Sequence, residues 1–434
     1  MTGNESHSTG RIRREWTAMT ERAQSGRGLI LLSVAAGWLF AQGLRFVLPG
    51  ILPTITASFP STSDTQAGIA VTVLWATYGV VQFPAGIAAD RIGEARVLTA
   101  SLLLGAASLL AFTFTPVFGL FVVATGLFGA ATGLYGPPRG TLLARVFADR
   151  ADRAIGLTLA AGSLGAAVLP AIASLVVDGF GWRATLGLAA PGFALAGVAV
   201  YLTAGRAESG ERNETPDLDD NSDATDSSTV TQSIGSSLWV AAKSIWNPQA
   251  GLATLAAIVM YFGYQGITAL VTTYLVDHKG FVQAEAGVLF GGLFLVGALS
   301  QWLAGRIATN RRSARVLAAI AAVSVLPLVG LVVFDHRLLV AASVLLIGVR
   351  MGFAPVSNAF IIRCLPPDVE GTAWGVVRTA LFVVSSLAST MVGVLADAGQ
   401  FDGAILGLAG LTGVAAMLYL GLPSCQARRL LDRV

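Results

Sequence analysis

Residues 67–98 read AGIAVTVLWATYGVVQFPAGIAADRIGEARVL, and residues 286–317 read AGVLFGGLFLVGALSQWLAGRIATNRRSARVL. Aligned without a gap at an offset of 219, 11 of the 32 positions are identical, including Gln82/Gln301, Gly86/Gly305 and the closing Ala-Arg-Val-Leu. The same offset pairs Gly129 and Gly133 with Gly348 and Gly352, Gly156 with Gly375, and Asp178 with Asp397. Apolar composition alone gives scattered matches. One offset maintained across six apolar segments points instead to an internal duplication.

The composition states the solvent in which this repeat folds. The chain has 434 residues, 54% hydrophobic and 12% charged, with mean hydropathy +0.70. A soluble domain is about 25% charged. So few charges cannot cover a water-facing surface of this size, which excludes a cytosolic enzyme, a nucleic-acid-binding protein and a secreted module. A bilayer-spanning helix needs roughly 20 apolar residues. Apolar runs place spans at 29–52, 67–88, 97–115, 117–138, 154–177 and 184–204. They resume at 250–274, 284–305, 316–334, 338–360, 373–396 and 403–423.

The expected architecture is thus all-α and integral to the membrane, with twelve transmembrane helices in two six-helix bundles, 29–204 and 249–423. A polar N-terminal tail (1–28), a linker (205–248) and a C-terminal tail (424–434) complete the chain. The stretch 206–237 holds eight acids and two bases among Ser, Thr and Asn, a composition that cannot bury a core and reads as disordered. Residues 234–246 suit a short interfacial helix. With six spans in each half, both copies have the same orientation. Such parallel repeats enclose their site near the bilayer midplane.

Orientation follows from the basic residues. Of 28 Lys and Arg, 22 fall on the side of the termini, only Arg183, Lys279 and Arg337 fall on the other, and Arg45, Arg350 and Arg378 fall within spans. The expectation is a multi-pass protein of the cell membrane with both termini cytoplasmic. The apolar run after the N-terminal tail is longer than a signal-peptide core and lacks a convincing cleavage site. The two cysteines, Cys364 and Cys425, show neither metal-ligand spacing nor a disulfide framework, and the three histidines form no ligand pair. No metal or cofactor is expected.

The loop after the second span reads Gly86-Ile-Ala-Ala-Asp90-Arg91-Ile-Gly93-Glu94-Ala-Arg96. It resembles the G-x-x-x-D-R/K-x-G-R/K-R/K signature of the major facilitator superfamily, at the position between spans 2 and 3 where that family carries it. With the duplication, the resemblance covers residues 28–423. It implies a transporter that works by alternating access, in which Gly86, Asp90, Arg91, Gly93 and Arg96 form a latch between the bundles. Gly86 is expected to admit close helix approach. Glu94 and Ala95 depart from the family's basic pair, and Thr309 and Asn310 replace Asp and Arg in the second copy. Thr125 stands where span 4 usually carries arginine, and span 5 lacks the G-x-x-x-G-P of many drug exporters.

An ionisable residue within a span costs about 2.5–3.5 kcal/mol on insertion scales and is a functional candidate. Three arginines qualify, and no carboxylate lies at comparable depth. The resemblance implies that spans 1, 4, 7 and 10 line the cavity, so Arg45 and Arg350 are expected to hold an anion between the halves. The guanidinium fork suits carboxylate or phosphate oxygens. Hydrogen bonding to helix carbonyls, or snorkelling, is the alternative for each. Arg378 lies near a span end, where a gate ion pair or snorkelling is expected. Gln42, Tyr261, Tyr264, Gln265 and Asn358 are the polar companions, Tyr264 being the repeat counterpart of Arg45.

These residues point to a secondary active transporter of a small organic anion, with the bilayer and a coupling proton or sodium ion as possible partners. No G-x-x-x-x-G-K-[ST] loop suggests ATP drive. A drug or hydrophobic-cation:proton antiporter would call for an acidic cavity residue. A transport-dead sensor would call for a folded signalling domain, and a membrane enzyme for a catalytic cluster. None of these is evident in the sequence.

Overall fold

The computed structural model describes residues 26–205, 248–308, 312–365 and 370–422. The two tails, the acidic linker, the expected helix at 234–246, Thr309 and Asn310 lie outside the described residues. Among the described residues, eleven segments are long and apolar enough to cross a membrane, and all are helical. We label the helices α1 (Gly26–Gly50), α2 (Asp64–Ile92), α3 (Glu94–Thr113), α4 (Phe118–Val146), α5 (Ala151–Gly187) and α6 (Ala190–Val200). The second half comprises α7 (Gln249–His278), α8 (Gln283–Ile307), α9 (Ser313–Val333), α10 (Arg337–Cys364), α11 (Trp374–Asp397) and α12 (Phe401–Leu420).

Helix is the response of an apolar chain to a solvent that offers no hydrogen bonds, since each helix satisfies its own backbone groups. The ends are marked by local chemistry. Ser63 and Gln66 form a capping box at the start of α2. Gly93 ends it with φ 96°, a conformation few side chains adopt, and this frees α3 to start at once. Large apolar side chains such as Leu195, Leu326 and Leu338 point outward. In water such a surface would aggregate; in lipid it is matched to its solvent.

The span count differs from the expected twelve because Ala148–Gly205 is one helical segment of 58 residues. A straight helix of that length would extend about 87 Å, nearly three times a roughly 30 Å hydrocarbon core. It is broken at Gly181, whose φ is 75°. On either side of the break the chain doubles back along α1. Ser174 bonds to the Gly50 carbonyl and Trp182 to Ser58, and then Thr203 bonds to Ser33.

Helix pairing repeats between the halves. Helix α1 packs on α5, α2 on α4 and α3 on α6; α7 packs on α11, α8 on α10 and α9 on α12. The agreement extends to single residues. A Cβ at Gly129 would strike the Leu74 carbonyl, and one at Gly348 would strike the Leu293 carbonyl. Both contacts are related by the offset of 219, so the same glycine admits the same crossing twice.

Two seams join the halves: α2 with α11, and α5 with α8. At the end away from the arginine-rich loops these seams are tight. Asp397 at the end of α11 accepts from the backbone N–H groups of Asp64 (2.8 Å) and Thr65 (3.0 Å), capping α2 across the interface. Thr272 donates to the Pro49 carbonyl and Gln283 to the Gly50 carbonyl, tying α7 and α8 to α1. At the arginine-rich end the expected latch is unmade. Asp90 and Arg91 are exposed, and among the described residues neither has a hydrogen-bond or ion-pair partner. A Cβ at Gly86 would meet nothing within 4 Å, so its expected close approach is not made here. The physical reason is that the halves are held together at the opposite end.

One further expectation is corrected. Cys364, at the end of α10, is disulfide-bonded, although the spacing of the two cysteines suggested no such pairing.

Candidate functional site

Helix α1 presents Arg45 to the interior with its side chain fully buried. Side chains on a helix lean toward its N-terminus, which carries the guanidinium back over the preceding turn. There Nε donates to the Ala41 carbonyl (3.0 Å) and Nη2 donates to Gln42 Oε1. Nη1 has no hydrogen-bond partner although it is buried. Three rings surround the cation: Tyr78 at 3.9 Å and Trp38 and Trp75 each at 5.3 Å from the guanidinium carbon. Each such contact contributes about 0.5–2 kcal/mol. The rings offset part of the desolvation cost and leave the charge in place.

Trp38 serves a second cation. Arg139 lies 4.5 Å from the Trp38 ring, and its Nη1 donates to Thr158 (2.7 Å). Its Nε is buried without a partner. By sequence Arg139 counts among the bases on the side of the termini, just past the fourth span; in the structure only 7% of it is exposed. The misleading signal was Pro137-Pro138, which ends the apolar run. In the structure the prolines occupy the first turn of a restarted helix, Gly136–Val146, where a missing N–H does no harm. That helix brings Arg139 inward, and its side chain leans back toward the core. Tyr135 stacks on Trp38 (6.0 Å, 15°) and donates to the Val34 carbonyl, fixing the indole between the two arginines.

The second half supplies the facing wall. Phe382 of α11 stacks on Trp75 (6.2 Å, 7°) and meets Tyr78 edge-on (5.1 Å). Arg378, one turn earlier, lies 5.8 Å from the Phe382 ring and within electrostatic reach of both Arg45 and Arg139. Tyr261 of α7 also packs on Phe382 (5.9 Å) and lies beside Asn358. Tyr264, the repeat counterpart of Arg45, meets Phe46 edge-on (6.5 Å), next to Arg45 in the chain. Gln265 is buried with neither amide atom bonded. Buried orphan polar groups are costly and are usually satisfied by protein or water.

Arg350 is not in this group. Its Nε and Nη2 donate to the Met260 carbonyl (3.3 and 2.8 Å), and Nη1 donates to Thr412 (2.9 Å). Its fork is thereby used in joining α7, α10 and α12. A Cβ at Gly263 would strike it, so α7 is shaped to admit this side chain. Arg350 is thus engaged within the second half, while Arg45 lies on Trp38 with Arg139 and within electrostatic reach of Arg378.

The buried polar residues include three arginines, Arg45, Arg139 and Arg350, and no Asp or Glu among the described residues. No group of His, Cys, Asp and Glu among them could hold a metal. Glu94, which replaces a basic residue of the loop signature, pairs with Arg145 of the same half (2.9 Å). Elsewhere a cleft of about 410 Å³ opens between α5 and α8, with Ser163 and Gln301 among an otherwise apolar lining that carries no charge.

A family model described as Major Facilitator Superfamily matches residues 34–389. Among solved structures, the chain is similar to a bacterial homolog of the human lysosomal transporter Spinster in an inward-facing, unoccupied conformation. The TM-score is 0.73 at 13% identity, over 91% of this chain and 96% of that one. It is also similar to the nucleoside transporter NupG, with TM-score 0.68 at 13% identity over 91% and 98%. No curated protein matches the chain.

Proposed function

The chain belongs to the major facilitator superfamily of membrane transporters, and from that membership we propose a secondary active transporter that moves a small organic anion by alternating access. The Arg45 guanidinium carries this reading. It is buried, its Nη1 makes no hydrogen bond within the protein, and among the described residues no carboxylate is buried with it. A cation held this way is suited to receive its counter-charge from the solute. The proposed site comprises Arg45, Arg139, Gln42, Tyr261, Tyr264, Gln265 and Asn358, with Arg378 at its rim. We assign Arg350 to packing.

The fifth segment then crosses the bilayer twice, on either side of Gly181, giving twelve crossings in two bundles. The arginine-rich end faces the cytoplasm of a cell membrane, with the termini on that side. The closed seam around Asp397 and the unmade latch around Asp90 correspond to an inward-facing state. In the opposite state Asp90 and Arg91 close the cytoplasmic end.

Uptake into proteoliposomes tests the reading with a panel of radiolabelled organic anions and cations. The expected result is uptake of one or more anions that falls by roughly a hundredfold in Arg45→Ala, in line with a lost buried charge pair, and persists in Arg350→Ala. Robust uptake of a cationic drug, unaffected by Arg45→Ala, would overturn it.

A further inference from the structure

Arg45 and Arg139 come from different helices, α1 and α4, yet both guanidinium groups lie against Trp38, at 5.3 and 4.5 Å. Each retains a buried nitrogen without a partner: Nη1 of Arg45 and Nε of Arg139. Arg378, beyond Tyr78 and Phe382, is within electrostatic reach of both and adds a third positive charge. Like charges in a poorly solvated interior repel strongly. The protein spaces these with rings, the Tyr78 and Thr158 hydroxyls and the Gln42 amide, and among the described residues places no acid between them. A solute with a single negative charge would leave most of that repulsion uncompensated.

We infer that the substrate is doubly charged, a dicarboxylate or a phosphate monoester, held between Arg45 and Arg139 over Trp38. This rests on the anion reading and names its class. Arg139 is then the residue that selects two charges over one. It is equipped for this role because its Nη1 bond to Thr158 fixes the guanidinium plane and leaves Nε available. Trp38, fixed by its stack on Tyr135, sets the separation between the two cationic centres. Arg378 contributes long-range attraction from the other half, so an occupied site draws the halves together.

Binding to the purified full-length transporter, followed by calorimetry at constant ionic strength, tests the inference. Matched probes are succinate against monomethyl succinate, phenyl phosphate against methyl phenyl phosphate, and sulfate against nitrate. The doubly charged member of each pair that binds is expected to be tighter by roughly tenfold or more. In Arg139→Gln that preference disappears through weaker dianion binding, with the monoanion changed less than about threefold. Arg139→Lys restores part of it, because it returns the charge without the fork. The proposal is overturned if monoanions bind the wild type as tightly, if Arg139→Gln weakens both members equally, or if no pair binds. The anion reading itself fails separately, if neutral or cationic solutes bind and Arg45→Gln leaves that binding unchanged.

Discussion

Arg45 shows how far a single residue can be read from sequence and where that reading stops. Its burial was legible, because a charge seven residues past Trp38 in an apolar run has no water to reach. Its neighbours were not, because they depend on how α2 and α4 cross α1. Arg139 was hidden by the two prolines before it, which end a hydropathy run yet begin a restarted helix. Arg350 was legible as buried but not as satisfied, since its acceptors, the Met260 carbonyl and Thr412, are on other helices. The assignment of Arg350 to packing has a consequence at Gly263. A Cβ there would collide with the guanidinium. Gly263→Ala should therefore lower stability by about 1–3 kcal/mol, seen as a drop in the detergent-solubilised melting temperature, without altering which solutes bind. A change in selectivity at unchanged stability would move Arg350 back into the site.

At the scale of elements, the repeat was the most legible feature, because lipid forces the same small-residue crossings in both halves. Gly129 and Gly348 make equivalent contacts on α2 and α8. Gly129→Leu and Gly348→Leu should each prevent a helix crossing, with loss of folded, monodisperse protein on gel filtration. The break at Gly181 falls in the gap between the apolar runs 154–177 and 184–204, but the continuation of helix on both sides of it was not legible, since hydropathy is silent about how a short polar gap is folded. The closed seam was equally hidden, because backbone caps leave no pattern in composition. Asp397 bridges the halves by accepting two N–H groups of α2. A helix cap is worth about 0.5–2 kcal/mol, or roughly 2- to 30-fold in an equilibrium constant. Asp397→Ala should raise by that factor the labelling of a cysteine introduced at Thr272 by a reagent added from the Asp397 side. Unchanged labelling would show that the Gln283 bond to the Gly50 carbonyl holds this end shut without it.

For the whole molecule, a charge content of 12% resolves into three groups. Most bases mark one end of the helices, the acids concentrate in the linker and at helix ends, and three arginines meet around a set of rings. The last group joins architecture to function, because alternating access needs a site reached from each side in turn. The fold supplies two bundles in contact along two seams, closed here at one end. The most direct measurement is an anomalous-scattering experiment on crystals of the full-length protein soaked in selenate, a small dianion with a strong selenium signal. The expected result is a peak between the Arg45 and Arg139 guanidinium groups, beside Trp38, that is absent in Arg45→Ala crystals. Peaks confined to the exposed arginines at the helix ends, with none in the buried cluster, would contradict an anion site at the centre of this transporter.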